Sequence, residues 1–349
     1  MNELKDGAAL SLKDYRSTVF FYLRLAFGGL LLAALFRMLD IHSLLLTLAS
    51  VKPQLVALAL LTMTVNLLIK TYRWGFILRM HRPDISFGEI ARVNFLSLFI
   101  GSFLPTSLSY DMVRIYYVSR RATDPRVAIS SIFADRIIGN FSVAITAMLV
   151  FAILNITGLF RVGPLLSFGM TMFLLVSLAL PLVLRNSAVA DGAATFLNRF
   201  TGQRLFDGVQ ELTEHLLLYW NQAPLMSKAL ALAFLNLGIA VLEFYLIAQA
   251  FSAPVSIHYF FLFIPLVVLF SMLPVSIGGI GLVEAGLIFF FVNVGMPAET
   301  CLSIALIHRA LQLVCQLPGA AIYMFEGGLR TSTQEAGHPI VSSKPGSGF

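Results

Sequence analysis

The chain has 349 residues, 58% of them hydrophobic and only 12% charged, with a mean hydropathy of +0.85. Soluble domains are about half apolar and about a quarter charged, so this balance excludes an ordinary soluble domain and points to an integral membrane protein. The net charge of +6 is spread beside apolar runs and forms no separate basic domain, which fits loops facing anionic lipid and argues against nucleic acid as a partner.

The apolar runs are long and unbroken, so the spans are read as helices and not as strands of a barrel. The first runs over 19–39. Lys5, Lys13 and Arg16 precede it, but Arg37 and Met38 stand where a small-x-small cleavage site would be needed. It is therefore expected to be a retained first span, preceded by a cytoplasmic segment 1–18. The second run covers 54–74, and the loop before it, with Arg37, Asp40 and Lys52, nearly cancels in charge. Lys70, Arg73, Arg79, Arg82 and Arg92 then fall close together, and the positive-inside rule places them in the cytoplasm.

Residues 94–121 read NFLSLFIGSFLPTSLSYDMVRIYYVSRR. The apolar part, 95–104, is about half of what a crossing helix needs. Pro105 ends it, Thr106, Ser107 and Ser109 follow, and arginines lie on both flanks. The simplest path is a re-entrant hairpin from the cytoplasmic side. A third span is expected over 127–155 and a fourth over 162–184. The polar stretch 185–224 contains FDGVQELTEHLLLYW, whose Phe206, Val209, Leu212, Leu216 and Tyr219 share a helical face. It is read as a helix on the cytoplasmic membrane surface that ends at an interfacial Trp220.

A fifth span is expected over 226–251. The stretch LPVSIGGIGLVEAG, 273–286, follows between two short apolar arms, with no Lys or Arg on either flank. A hairpin entering from outside fits this pattern. The last span covers 300–325, and the Gly/Ser/Pro-rich tail from 327 is expected to be disordered. Cys301 and Cys315 share the last helix about 21 Å apart, too far to bridge. The fold class expected is an all-α polytopic membrane protein with a membrane domain over 19–326, about six transmembrane helices and two opposed re-entrant hairpins. Broken helices related as inverted repeats are a transporter architecture; the sequence echo is LPTS at Leu104 and LPVS at Leu273.

Ionisable residues inside spans are costly and so are functional candidates. The substrate-binding set is Asp111, Arg114, Asp135, Arg136, Glu284, His308 and Arg309, with Glu243 inside the fifth span and Arg73 at a boundary. The hairpin-tip set is Pro105, Ser107, Pro274, Ser276, Gly278, Gly279 and Gly281. Asp111 and Arg114, three apart, share a helix face as an ion pair or a substrate contact. Asp135 and Arg136 are adjacent and point about 100° apart. Glu284 is a helix-capping acid or a cavity-lining group. Arg309, near the middle of the last span, calls for a carboxylate or phosphate. His308 is a satisfied buried histidine or a proton relay. The run Gly278, Gly279, Gly281 lacks a Walker lysine and a preceding strand, so no nucleotide site or other cofactor is implied, although half-helix N–H groups suit an anion. No HExxH, GxSxG or Cys/His pair occurs at useful spacing, so no catalytic or metal constellation is expected.

RW at 73–74, FLPTSLSYDMVR at 103–114, SSIFADRIIG at 130–139, LPVSIGGIGLVEAG and HR at 308–309 follow in that order. Together they make the chain resemble the flippase-like membrane region of lysylphosphatidylglycerol synthases, the multiple peptide resistance factor family. Relatives often carry GGD or GD where this chain has Ser109, Tyr110 and Asp111. The resemblance, over about 20–325, implies lipid translocation in a bacterial inner membrane with both termini cytoplasmic. Its implied partner is a membrane lipid: an anionic phospholipid, an isoprenoid-linked lipid or a hopanoid. A lipid-modifying enzyme and further copies of the chain are further candidate partners. The alternatives left open are a non-transporting scaffold for a lipid-modifying enzyme and a membrane enzyme acting on lipid head groups.

Overall fold

The computed structural model describes residues 41–80, 82–103, 109–120, 125–158, 222–271 and 279–335, and the single positions 26, 29, 30, 33, 37, 172, 175, 219 and 276. Among these residues all regular structure is helical. In chain order the α-helices are α1 (Ile41–Ala49), α2 (Pro53–Leu78), α3 (Phe87–Phe103), α4 (Ser109–Ser119), α5 (Pro125–Thr157), α6 (Ala223–Ala250), α7 (Ile257–Ser271), α8 (Leu282–Phe291) and α9 (Ala298–Glu335).

Local sequence explains several starts. Proline opens α2 and α5 and is the second residue of α6; at those positions its missing N–H leaves nothing unsatisfied. Ser86 caps α3, where its Oγ accepts the Glu89 N–H at 3.2 Å. Four helices, α2, α5, α6 and the 298–325 part of α9, are long and apolar enough to cross a membrane, and each coincides with an expected span. On α2, Leu58, Leu61, Val65 and Leu68 are all exposed. Their spacing puts them on one face, an apolar stripe suited to lipid. The expected first and fourth spans and the 185–224 helix lie almost wholly outside the described residues. Tyr219 is an exception: it is helical and fully buried against Ile77, Ala134, Ile138, Ala229 and Ala233.

Four boundaries differ from expectation. Helix α1 occupies part of what reads as a loop after residue 40. Helix α2 continues to Leu78, past the expected end at 74, with Lys70 and Arg73 inside it. Helix α3 begins at Phe87, eight residues before the apolar run, because the Ser86–Glu89 cap and not hydropathy sets its start. Helix α9 continues to Glu335, past the residue 327 at which a disordered tail is expected. A glycine pair, Gly327 and Gly328, weakens a helix without ending it.

The helices pack as two sets of four. In the first set α2 meets α3 and α5, α3 meets α4, and α4 meets α5; in the second α6 meets α7 and α9, α7 meets α8, and α8 meets α9. Across the sets α2 packs along α6, α3 on α9, α7 on α5, α2 on α9 and α6 on α5. Helix α1 lies against α9. Glycines permit the tightest approaches, as small residues do between membrane helices. A Cβ on Gly101 would stand 2.9 Å from the Tyr110 backbone, and one on Gly319 would stand 2.1 Å from the Phe95 carbonyl oxygen. The larger core joins α5 to α9 around Phe260, Phe263, Phe290 and Phe291, all fully buried and in mutual ring contact.

Candidate functional site

Asn66 and Asn236 mark the seam between the two helix sets. Both are buried in the α2–α6 contact, where Asn236 Nδ2 donates to Asn66 Oδ1 at 2.7 Å and to the Asn66 carbonyl at 3.1 Å. A buried amide must find partners; here the Asn236 amino group and the Asn66 side-chain oxygen satisfy one another, while Asn236 Oδ1 has no partner among the described residues. On either side of the seam lies a polar cavity.

One cavity, of about 280 Å³, is lined by Lys70, Arg73, Tyr110, Asp111, Arg114, Asp135 and Arg136, with Asn236 and Ala240 from α6. Arg73 Nε donates to Asp135 Oδ1 at 2.8 Å. Arg114 Nη1 donates to Asp111 Oδ1 at 3.4 Å and stands 4.0 Å from Asp135 Oδ2. Arg136 Nε pairs with the other Asp111 oxygen. The Arg114 guanidinium lies 3.7 Å over the Trp74 ring and 4.8 Å over that of Tyr110; its delocalised charge suits stacking. The Tyr110 hydroxyl donates to Asn94 Oδ1, and Asn94 Nδ2 donates to Thr71 Oγ1 at 2.7 Å. Gly139 makes room for Arg73, whose Nη2 would stand 3.2 Å from a Cβ there. Lys70 and three arginines face two carboxylates in this lining.

The other cavity, of about 440 Å³, is lined by Asn66, Lys70, Glu243, Ser271, His308, Arg309, Gln312 and Gln316 among others. Arg309 Nε donates to Glu284 Oε1 at 2.6 Å, and its Nη2 donates to the Gly279 carbonyl at 3.0 Å. Glu284 is 1% exposed, and its Oε2 accepts the Gly281 N–H at 2.8 Å. Gly279 and Gly281 have φ of +70° and +83°, conformations that L side chains rarely adopt. These two left-handed turns carry the chain into α8 and aim the Gly281 N–H and the Gly279 carbonyl at Glu284 and Arg309. His308 Nε2 stands 3.1 Å from Glu243 Oε1, an ion-pair contact without hydrogen-bond alignment, and its ring stacks on Phe244 at 4.4 Å.

The seven candidate substrate-binding residues thus gather around the two cavities. Asp111, Arg114, Asp135 and Arg136 line one, His308 and Arg309 line the other, and Glu284 stands directly behind Arg309. Of the expected hairpin tips, Pro105, Ser107, Pro274 and Gly278 lie outside the described residues. Ser276 is buried with its hydroxyl unpaired among the described residues. The sequence signal for Lys70 is its place within an apolar run. It reads as a loop residue only if the charge cluster is weighed above the hydropathy around it. Asn66, Asn236 and Tyr110 carry no comparable signal.

The family described as the lysylphosphatidylglycerol synthase TM region matches residues 21–319. The chain belongs to this family. No curated protein matches it. Membership of the lysylphosphatidylglycerol synthase TM family and the four crossing helices make it a multi-pass membrane protein, with a function tied to membrane lipid. The matched residues take in every charged group of both cavities.

Proposed function

We propose that the protein moves a lipid across the bacterial inner membrane by passing its head group through the two adjoining cavities, without a chemical step. The observation that carries this reading is a set of ionisable side chains inside helices long and apolar enough to span a bilayer. Charges at that depth are retained where they face a cavity or one another. Here they do both.

The internal order of the site supports an inverted repeat. Arg136 pairs with Asp111 across 25 residues, and Arg309 pairs with Glu284 across 25 residues. Asn236 follows Asn66 by 170 residues, and Glu243 follows Arg73 at the same separation. Arg73 meets Asp135 on α5, and Glu243 meets His308 on α9, the equivalent places with the charge sign exchanged. The packing of α2–α5 is matched by that of α6–α9 in the same way. In this reading α3–α4 enters from the cytoplasm and α7–α8 from outside, with both chain ends cytoplasmic. Helices α7 and α8, of 15 and 10 residues, reach only about 23 and 15 Å, short of the ~30 Å hydrocarbon core. Unwound backbone between such arms is tolerated where it lines a cavity.

The test is lipid sidedness. Purified protein in vesicles of phosphatidylglycerol and phosphatidylethanolamine, doped with fluorescent head-group-labelled lipid, should make inner-leaflet label accessible to a membrane-impermeant quencher. The double variant R136Q/R309Q should slow this to the rate of protein-free vesicles. A wild-type protein that never changes sidedness for phosphatidylglycerol or for an isoprenoid phosphate removes the proposal. A second reading, a scaffold for a lipid-modifying enzyme, draws support from the completeness of the Arg–carboxylate pairing, which serves stability without any ligand. That reading expects R136Q/R309Q to leave the cellular phenotype unchanged.

A further inference from the structure

Glu243 and His308 lie deep within their helices. Glu243 stands seven residues before the end of α6 at Ala250, about 10 Å along the axis. His308 stands ten residues after the start of α9 at Ala298, about 15 Å along it. Both border the cavity of about 440 Å³, which is polar and roomy enough to hold water.

Their pairing differs in kind from the others. Asp111, Asp135 and Glu284 each face an arginine, which keeps its charge throughout. Glu243 faces a histidine, the side chain type whose charge changes between about pH 5 and 8. The Glu243 side chain is 4% exposed and its Oε1 stands 3.1 Å from His308 Nε2, yet that oxygen accepts no hydrogen bond among the described residues. A buried carboxyl oxygen without a donor is costly, and one proton placed between these two atoms supplies the donor. Two titratable groups this close take up protons as a unit. Phe244, stacked on the imidazole at 4.4 Å, holds the ring in place. Carboxyl and imidazole groups inside spans are the parts from which membrane proteins build proton relays.

The other ionisable groups around the pair are engaged elsewhere or lie on the route between the cavities. On α9, Arg309 is turned to Glu284 and the Gly279 carbonyl, and the Cys315 thiol meets Thr64 Oγ1 at 3.8 Å. On α5, Asp135 and Arg136 are held by Arg73 of α2 and Asp111 of α4. Helices α3, α7 and α8 bring no ionisable side chain to this lining, and α1 brings no residue to it. Lys70 of α2 is the ionisable residue common to both linings and lies within the field of Glu243. A proton on the pair thus changes the potential where one cavity gives way to the other. It also acts one residue from Arg309, which ties α9 to the turn into α8.

We propose that Glu243 and His308 bind one proton between them and that this proton is the coupling ion for lipid movement. The proposal rests on the translocation reading and adds the ion that drives it. Only a proton is exchanged: cavity water delivers it to His308 Nε2 or Glu243 Oε1 on one side of the membrane, and the pair returns it to water on the other.

The test imposes a gradient of about one pH unit on the vesicles of the sidedness assay, with potassium and valinomycin holding the membrane potential at zero. Coupling of one proton to each lipid displaces the leaflet distribution of the labelled lipid by up to about tenfold, whichever way the protein is inserted. Wild type should shift it at least about threefold, and Glu243→Asp, which keeps a carboxyl, should do the same. Glu243→Gln and His308→Gln should still equilibrate the lipid but leave its distribution unmoved by the gradient. A wild-type distribution that ignores the gradient overturns the coupling and leaves translocation standing. A response retained by Glu243→Gln or by His308→Gln overturns the assignment to this pair. Infrared difference spectra of detergent-purified protein between acid and alkaline pH read the site without transport. Wild type should show a change in carboxyl bands that Glu243→Gln lacks, and identical spectra overturn the proton site. A wild type that shows the band change but never moves lipid overturns translocation and coupling together and leaves the proton site.

Discussion

Arg309 Nε and Glu284 Oε1 stand 2.6 Å apart, one on α9 and the other in the first turn of α8. The same carboxylate accepts the Gly281 N–H, so capping and ion pairing are one function of one side chain. Glu284→Ala would leave a guanidinium only 26% exposed without its partner and α8 without its cap. The expected loss is about 3 kcal/mol, the low end for breaking a buried pair. Glu284→Gln with Arg309→Gln should recover most of it, since both charges then vanish together. Unfolding in detergent across the double-mutant cycle checks this. A Glu284→Ala protein as stable as wild type but inactive in lipid movement would instead make Glu284 a substrate contact alone.

The two neighbours on α5 differ in what they hold. Asp135 serves Arg73 at 2.8 Å, in a pair whose side chains are 8% and 10% exposed, and also lies beside Arg114. Arg136 is 42% exposed, and its partner Asp111 keeps Arg114 if Arg136 is lost. Asp135→Asn should therefore cost about 3 kcal/mol, whereas Arg136→Gln should cost about 1 kcal/mol or less. Denaturant titration of the two single variants gives the comparison. Equal losses would mean that the Arg73–Asp135 pair does not hold α2 to α5.

The Asn66–Asn236 bond ties α2 to α6 at the seam. Asn236→Leu strands the buried Asn66 side-chain oxygen and should cost about 1–3 kcal/mol, whereas replacing both asparagines by leucine should cost clearly less, since no polar group is then left unpaired. Unfolding midpoints of the single and double variants measure the difference. A double variant worse than either single one would point to a wet seam in which the amides serve the cavities.

Much of this arrangement is legible in the sequence, and the illegible part has physical causes. Hydropathy marks any helix that must dissolve in lipid, so four spans lie where their apolar runs predict. The ionisable candidates are also legible, because a charge inside such a run needs a reason. Which charge meets which is not, since Arg73–Asp135 and Arg309–Glu284 join different helices and depend on packing. Lys70 reads as a loop residue when charge clustering is weighed above the helix period. The α3 start escapes a hydropathy reading because a serine cap, not apolarity, sets it. The Asn66–Asn236 seam leaves no mark, since asparagine in a membrane run is as readily a solitary polar residue as half of a pair.

Close helix approach gives the last prediction. Helix α9 crosses α3 where a Cβ on Gly319 would stand 2.1 Å from the Phe95 carbonyl oxygen and 2.8 Å from its carbonyl carbon. Both are backbone atoms, so no rotamer change relieves the clash and the helices must separate. Gly319→Ala should cost about 1–3 kcal/mol, the scale of an overpacked contact. A Cβ on Gly238 of α6 would meet nothing within 4 Å, and Gly238→Ala should stabilise by up to about 1 kcal/mol through helix propensity. Opposite shifts in unfolding temperature are expected from the same chemical change in two membrane helices. If Gly319→Ala stabilises as Gly238→Ala does, α9 does not rest on α3 at this point, and the wall that carries Arg309 is set by its contact with α8.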